Sequence, residues 1–338
     1  LATIKLMIKI KLIHELIPLI ENGIPVIDVR APVEFAQGHI PGTLNVPLFS
    51  DKARKDVGIV YKQQGKQAAV MCGLSLVGPR VPELSSQLQR AAPQNKAILY
   101  CARGGMRSQS VAQLCNLLGI TVYLVTGGYK AYRNFVLDQF EKNYKINVLA
   151  GKTGCNKTVA IEQLVDKKQA IDLEGLAKHR GSVFGGLQTT KQPTQQQFEN
   201  ELGLQLAQHG TEQKLWLEDE SRKIGSIILP AHLWNQMRNA PITYLTTPRL
   251  ERIANIIELY KDWTPDQFLT SLSILEKRLG PDRYKQLYDL GVAQEKELIV
   301  GLLLNYYDTK YEFGLKQRPQ PIATHNNYQT FLTQTVYK

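Results

Sequence analysis

Two short stretches carry residue types that can do chemistry. In "LYCARGGMRS" (99–108) a cysteine closes an apolar run and is followed by two arginines, two glycines and a serine able to open a helix. A strand ending at Cys101, then a loop, then a helix, sets the sulfur at a helix N-terminus. There, loop amides and the helix dipole favour an anion and lower the thiol pKa. Arg103 and Arg107 add positive charge on either side of Gly104, Gly105 and Met106, so Cys101 is a candidate nucleophile. The plain alternative is a buried, inert cysteine. The C-x5-R spacing also describes cysteine phosphatases, although Tyr100 stands where those usually carry His and no general acid is evident. The loop alone leaves phosphoryl transfer and sulfur transfer both open.

The second stretch, "VLAGKTGCNKTVAIEQL" (148–164), reads as strand, glycine loop, helix. Against the phosphate-binding template G-x-x-x-x-G-K-[ST], Gly151 fits the first position and Lys157 and Thr158 the last two. Lys152, Thr153, Gly154 and Cys155 lie between, and Asn156 replaces the second glycine. Loop amides would cradle phosphate oxygens, Lys157 would supply a point charge, and Thr158 could hold a metal or a phosphate oxygen. Asn tolerates left-handed backbone better than most residues, which would let the loop survive. The alternative is a plain helix N-terminus. "LWLEDES" (215–221) ends an apolar strand in Glu218, Asp219 and Glu220, where P-loop proteins keep a metal-holding acid, and Arg222 follows. "DLEGLAKHRGSVFG" (172–185) sets Asp172, Glu174, His179 and Arg180 after another strand end. Solvated charge and a structural histidine are the alternatives for these two. The metal is left open, with Mg the ion such a loop would take.

These loops need parallel sheets behind them. "PVIDVR" (25–30), "KAILY" (96–100) and "TVYLVTGG" (121–128) read as strands alternating with helices at 14–23, 32–37 and 107–119. Residues 51–90 read as helical or irregular. The apolar pattern lapses near 137–145, and a second unit opens with "INVLA" (146–150). It continues through a helix at 157–165 and strands at "QAIDLEG" (169–175), "KLWLEDE" (214–220) and "PITYLTT" (241–247). From about 249 the pattern is helical. The expected fold is α/β throughout: a parallel-sheet domain at 12–138, a P-loop NTPase-like α/β domain at 145–248, and its helical C-terminal extension at 249–325.

Composition agrees with two soluble domains: 338 residues, 43% hydrophobic and 21% charged. No apolar run nears the ~20 residues of a membrane span. The apolar start "LATIKLMIKIKLIHELI" is broken by Lys5, Lys9 and Lys11 and shows no cleavage site, so it is not read as a signal peptide. Four cysteines (72, 101, 115 and 155) form no CxxC pair and match no zinc spacing, which argues against structural metal or a disulfide framework and suits a reducing cytoplasm. The net charge of +11 is spread along the chain. That is either a solvated basic surface or the mark of a polyanionic partner such as RNA.

"VIDVRAPVEFAQGHIPGTLNVP" (26–47) resembles the first signature of the rhodanese family, and "GGYKAY" (127–132) its closing signature. The resemblance covers about residues 12–138. It implies movement of sulfur or selenium through a persulfide-like cysteine intermediate, with Asp28 and Arg30 holding the scaffold and His39 fixing a turn. Together with "DLEGLAKHRGS", "QPTQQQFEN" (192–200) and "LEDESRKIG" (217–225), nearly the whole chain resembles the tRNA 2-selenouridine synthase family. Ala102 departs from that family's usual Trp, and Asn156 from its phosphate loop.

This resemblance implies a transferase acting on wobble 2-thiouridine in the anticodon loop of tRNAs for Lys, Glu and Gln. Geranyl diphosphate would first geranylate the sulfur, and selenium from selenophosphate would then replace the S-geranyl group. Cys101 would act in selenation, and Gly151 to Thr158 would bind the diphosphate. It further implies no tightly bound cofactor, a selenophosphate-supplying enzyme as a partner, and no membrane. Two other readings stay open: a rhodanese-type sulfurtransferase with a nucleotide-hydrolysing domain, and a non-catalytic tRNA-binding module with a decayed phosphate loop.

Overall fold

Strands that are apolar on both faces become the inner strands of parallel sheets, because crossover helices cover both sides. The computed structural model describes residues 8–179, 191–262, 264–318, 322–325 and 327–336. The chain divides into two units, Leu1–Gln139 with Glu199–Leu204, and Phe140–Phe198 with Gln205–Lys338.

The first unit runs β1 (Ile8–Lys11), α1 (Ile13–Glu21), β2 (Val26–Asp28), α2 (Pro32–Gln37), β3 (Leu44–Asn45), α3 (Asp51–Val77), α4 (Val81–Ala91), β4 (Lys96–Tyr100), α5 (Met106–Leu117), β5 (Thr121–Val125) and α6 (Gly128–Phe140). Its five strands are all parallel, in the order β1-β5-β4-β2-β3. β4 is buried from Ala97 to Tyr100 and feeds directly into the cysteine loop. β1 was not among the expected strands. It alternates Ile8 and Ile10 with Lys9 and Lys11, the pattern of a charged sheet edge, and so lacks the apolar run that announced the inner strands. α3 starts on a Ser50 cap and kinks at Gly65, whose φ is 85°.

The second unit runs β6 (Lys145–Gly151), α7 (Lys157–Asp166), α8 (Leu173–Ala177), α9 (Gln195–His209), β7 (Lys214–Glu218), β8 (Lys223–Ile224), β9 (Ile227–Ile228), α10 (Ala231–Asn239), β10 (Ile242–Leu245), α11 (Arg249–Leu259), α12 (Pro265–Leu279), α13 (Pro281–Val292), α14 (Lys296–Lys316), β11 (Ile322–His325) and α15 (Tyr328–Val336). Its main sheet is parallel, ordered β11-β10-β6-β7, with β8 and β9 as a small antiparallel ribbon.

Two expectations need correction. "QAIDLEG" is not a strand: Ala170 makes one isolated bridge to Trp216. The Asp172 carboxylate then caps α8, accepting the Gly175 amide at 2.7 Å, and a side-chain cap there ends the extended run. The span read as wholly helical from 249 to 325 contains β11, which pairs with β10. Among the described residues no helix is long and apolar enough to cross a membrane.

Candidate functional site

In the first unit Cys101 follows β4 directly and is 3% exposed. Burial alone drives a thiol toward its neutral form, and it pushes Cys115 up to about 12. Cys101 moves the other way. Burial works against its thiolate, but the Ser108 hydroxyl, the amides of Arg103 and Ser108 and the Arg107 charge together hold it below the ordinary thiol value. The Ser108 Oγ lies 3.2 Å from Sγ. Arg107 does not face the sulfur alone: its Nη1 donates to Glu34 Oε2 at 2.7 Å. Glu34 also accepts the Ala31 amide at the start of α2 and lies 3.5 Å from Arg54. Arg103, Gly105 and Met106 are exposed around the loop.

The closing signature explains how the loop is held. The Tyr129 amide donates to the Cys101 carbonyl at 2.8 Å and the Lys130 amide to that of Ala102 at 3.0 Å. This close approach requires glycine at 128, where φ is 59° and a Cβ would stand 2.3 Å from the Cys101 carbonyl oxygen. Arg30 forks onto Asp28 at 2.6–2.8 Å, donates to the Gly38 carbonyl and lies 3.9 Å from the centre of the Tyr129 ring. His39 stacks on Phe35 at 3.8 Å with Nδ1 3.0 Å from the Phe35 carbonyl. Asp28, Arg30 and His39 are therefore scaffold.

In the second unit β6 delivers the chain into the loop 152–156 and α7. Asn156 has φ 62° and ψ 33°, so it takes up the left-handed conformation that a glycine supplies in the template. Lys157 Nζ donates to the Gly151 carbonyl at 2.6 Å. Burial disfavours its charge, yet Cys155, Glu220, Glu174 and Glu218 together hold its pKa above the ordinary value. Gly151, Thr153, Gly154, Cys155, Asn156, Lys157 and Thr158 all line one cavity, with Glu174, Glu218, Asp219 and Glu220 on its acidic side. Lys152, Asp172, His179 and Arg222 do not line it. His179 instead packs beside Gly225, and Arg222 is exposed. Arg180 lies outside the described residues.

Sequence reasoning missed the helices that brace this loop. From α11, Arg252 Nε donates to the Thr153 carbonyl at 2.7 Å and Asn255 Nδ2 to that of Gly154 at 2.9 Å. From α14, Asp308 receives the Arg252 fork and Glu312 binds Lys152 Nζ at 2.5 Å. The Tyr311 hydroxyl accepts the Gly151 amide at 2.9 Å and donates to Asp219 at 3.0 Å. These partners stand 56 to 160 residues apart, beyond any motif.

Glu218 accepts the Glu174 amide at 2.7 Å, and burial pushes its pKa well up. Glu220 is pushed up to about 8, first by burial and then by Glu174, with Lys157 opposing. Of the three acids at this strand end, Asp219 is engaged on both oxygens, one by Tyr311 and one by Arg318. Among the described residues no three His, Cys, Asp or Glu side chains group as a metal site.

Beside the loop cavity lies a small apolar one between α11, α12, α13 and α14. Thr153, Ile256, Tyr260 and Tyr307 line both cavities. A phosphate group on the loop would therefore have a greasy space as its neighbour.

Residues 144–337 match the family model described as the tRNA 2-selenouridine synthase AAA domain, and residues 12–135 the rhodanese-like domain. The tRNA 2-selenouridine synthase of Serratia proteamaculans is 38% identical, the match covering 91% of each chain. That of Nitrosomonas europaea is 35% identical over 90% of this chain and 93% of the relative. That of Sulfurovum sp. is 37% identical over 91% and 93%.

Proposed function

This chain belongs to the tRNA 2-selenouridine synthase family, and on that premise we propose that it converts wobble 2-thiouridine in tRNA to 2-selenouridine through an S-geranyl intermediate. The acceptors would be tRNAs for Lys, Glu and Gln, and the co-substrates geranyl diphosphate and selenophosphate, the latter delivered by a selenophosphate-supplying enzyme. The observation that carries this reading is the apolar cavity sharing a wall with the phosphate loop. A nucleotide needs polar partners for its sugar and base. A prenyl diphosphate needs an anion cradle with a lipophilic slot next to it, and this pair of cavities suits it.

In the first step the uridine sulfur bonds to C1 of the prenyl chain. The C1–O bond breaks and its electron pair leaves with diphosphate, while the N3 proton of the base goes to solvent. Loop amides and Lys157 stabilise the charge gathering on the leaving group. In the second step selenium bonds to C2 of the base and geranyl thiolate leaves; water takes up the phosphoryl group of selenophosphate as phosphate. Cys101, held toward thiolate in a loop built for anions, handles the selenium donor.

The test supplies 2-thiouridine tRNA with geranyl diphosphate and selenophosphate, singly and together, and reads the nucleosides by mass. Cys101→Ala is expected to abolish selenation and leave S-geranylation. Lys157→Ala is expected to weaken geranyl diphosphate binding by about tenfold or more, the scale of a lost charge-assisted contact. Selenation by the Cys101 variant, or unchanged binding by the Lys157 variant, overturns the corresponding assignment.

A further inference from the structure

A second cavity lies on the other flank of α14, between it and α13, with a volume of about 450 Å³. That is within the size range of small-molecule sites. Its floor is apolar: Leu279 and Leu287 are buried there and Leu302 is half-buried. Its rim is polar and cationic, with Arg283 and Gln286 from α13 and Tyr306 and Lys310 from α14. Among the described residues that line it none is acidic. No hydrogen bond or ion pair engages Arg283 or Gln286 among the described residues. Asn305, also in the lining, accepts from Arg249 Nη1 at 2.8 Å and so holds a further guanidinium beside the cavity.

Lys310 joins this cavity to the phosphate loop, since it lines both. At about 100° per residue it falls between Tyr307, in the loop cavity, and Tyr306, in the second one. Its Nζ lies 4.2 Å from the centre of the Tyr306 ring and donates to the Tyr306 hydroxyl, which keeps its charge on the crest of the helix. Elsewhere the loop cavity is bordered by Glu174, Glu218, Asp219 and Glu220. A polyanion approaching the loop is repelled from that acidic side and drawn along the Lys310 side.

Resting on the tRNA reading above, we infer that the cavity between α13 and α14 seats a nucleotide of the RNA flanking the reacting uridine. An apolar floor takes the face of a heterocycle and rim cations take its phosphates, the pairing on which single-stranded RNA sites are built. Lys310 and Arg283 meet the phosphates. Gln286, with its amide donor and acceptor both unused, meets the edge of the base. Uridine and neighbour share one backbone, so seating the neighbour on one flank of α14 delivers the uridine to the other.

The test uses the full chain and 2-thiouridine tRNA ligated from synthetic halves, with single nucleotides around the wobble position made abasic. Equilibrium binding is read by fluorescence anisotropy over a range of KCl concentrations, and thermal melts confirm that each variant is folded. With the wild type, one flanking position is expected to lose about tenfold in affinity when its base is removed, the scale of one seated base. Gln286→Ala is expected to shrink that penalty to about threefold or less, because residue and base then act on each other. Arg283→Ala is expected to weaken all the RNAs alike, by about tenfold, and to lower the slope of log affinity against log salt by about 1. Lys285→Ala, an exposed cation of the same helix outside the lining, is expected to do neither. If the wild type binds the tRNA but the abasic penalty is unchanged in Gln286→Ala, or Arg283→Ala acts no more strongly than Lys285→Ala, the nucleotide seat is overturned and the proposed function stands. If the wild type does not bind 2-thiouridine tRNA, both fall.

Discussion

At the scale of single residues, charge placement decides chemistry. Cys101 and Cys115 are both buried, yet only Cys101 has a hydroxyl, two amides and a guanidinium acting on its sulfur. Ser108→Ala should therefore raise the Cys101 pKa, and the pH midpoint of its alkylation by iodoacetamide should move upward. An unmoved midpoint would assign the shift to the backbone amides and Arg107. Glu220 gives a second test. Its folded pKa of about 8 lies above the ordinary carboxylate value, so the folded state holds that proton more tightly than the unfolded one. The resulting stability is fully present below about pH 4.5 and is lost as pH rises toward 8. Glu220→Gln, neutral throughout, should flatten that fall and melt above the wild type at pH 8, while the two differ little at pH 4.5.

At the scale of elements, what was legible in the sequence was local. "KAILY" followed by "CARGGMRS" and "INVLAG" followed by "KTGCNKT" each announce strand, loop and helix within about fifteen residues, and both loops form where that order sets them. Asn156 was readable for the same reason, since one backbone torsion decides it. β1 and β11 were not: Lys9 and Lys11 interrupt the isoleucines of β1, and β11 holds only Ile322, Ala323, Thr324 and His325, so neither shows the apolar run that announced β2 and β10. The α11 and α14 braces were not, because nothing near Tyr311 or Arg252 in the chain hints at the glycine loop they hold. Those braces make their own prediction. Tyr311→Phe removes the acceptor of the Gly151 amide and the donor to Asp219 together. A part-buried amide and carboxylate left short of partners cost about 1–3 kcal/mol. Thermal melts should show that loss, and diphosphate binding should weaken with it because the loop is no longer fixed. A variant with wild-type melting and binding would show that α14 merely lies alongside.

At the scale of the whole molecule, the remaining signal is long-range charge. Lys and Arg number 41 against 30 Asp and Glu, and the excess of 11 is not gathered in one tail. Several of those cations are already matched inside the fold: Arg30 by Asp28, Arg107 by Glu34, Arg252 by Asp308 and Lys152 by Glu312. Each such pair consumes one charge of either sign, so the net excess belongs to the surface. A surface of that kind attracts tRNA mainly through phosphates, and each phosphate contact releases counterions. The affinity for 2-thiouridine tRNA should therefore drop steeply with salt, by about a hundredfold or more between 50 and 200 mM KCl. Geranyl diphosphate, on the function proposed above, would meet one loop and a greasy slot, and its affinity should change far less over the same range. Filter binding for the tRNA and calorimetry for the diphosphate read the two slopes separately. Equal, shallow slopes would mean that the basic excess does not face the RNA and that recognition is confined to the anticodon loop.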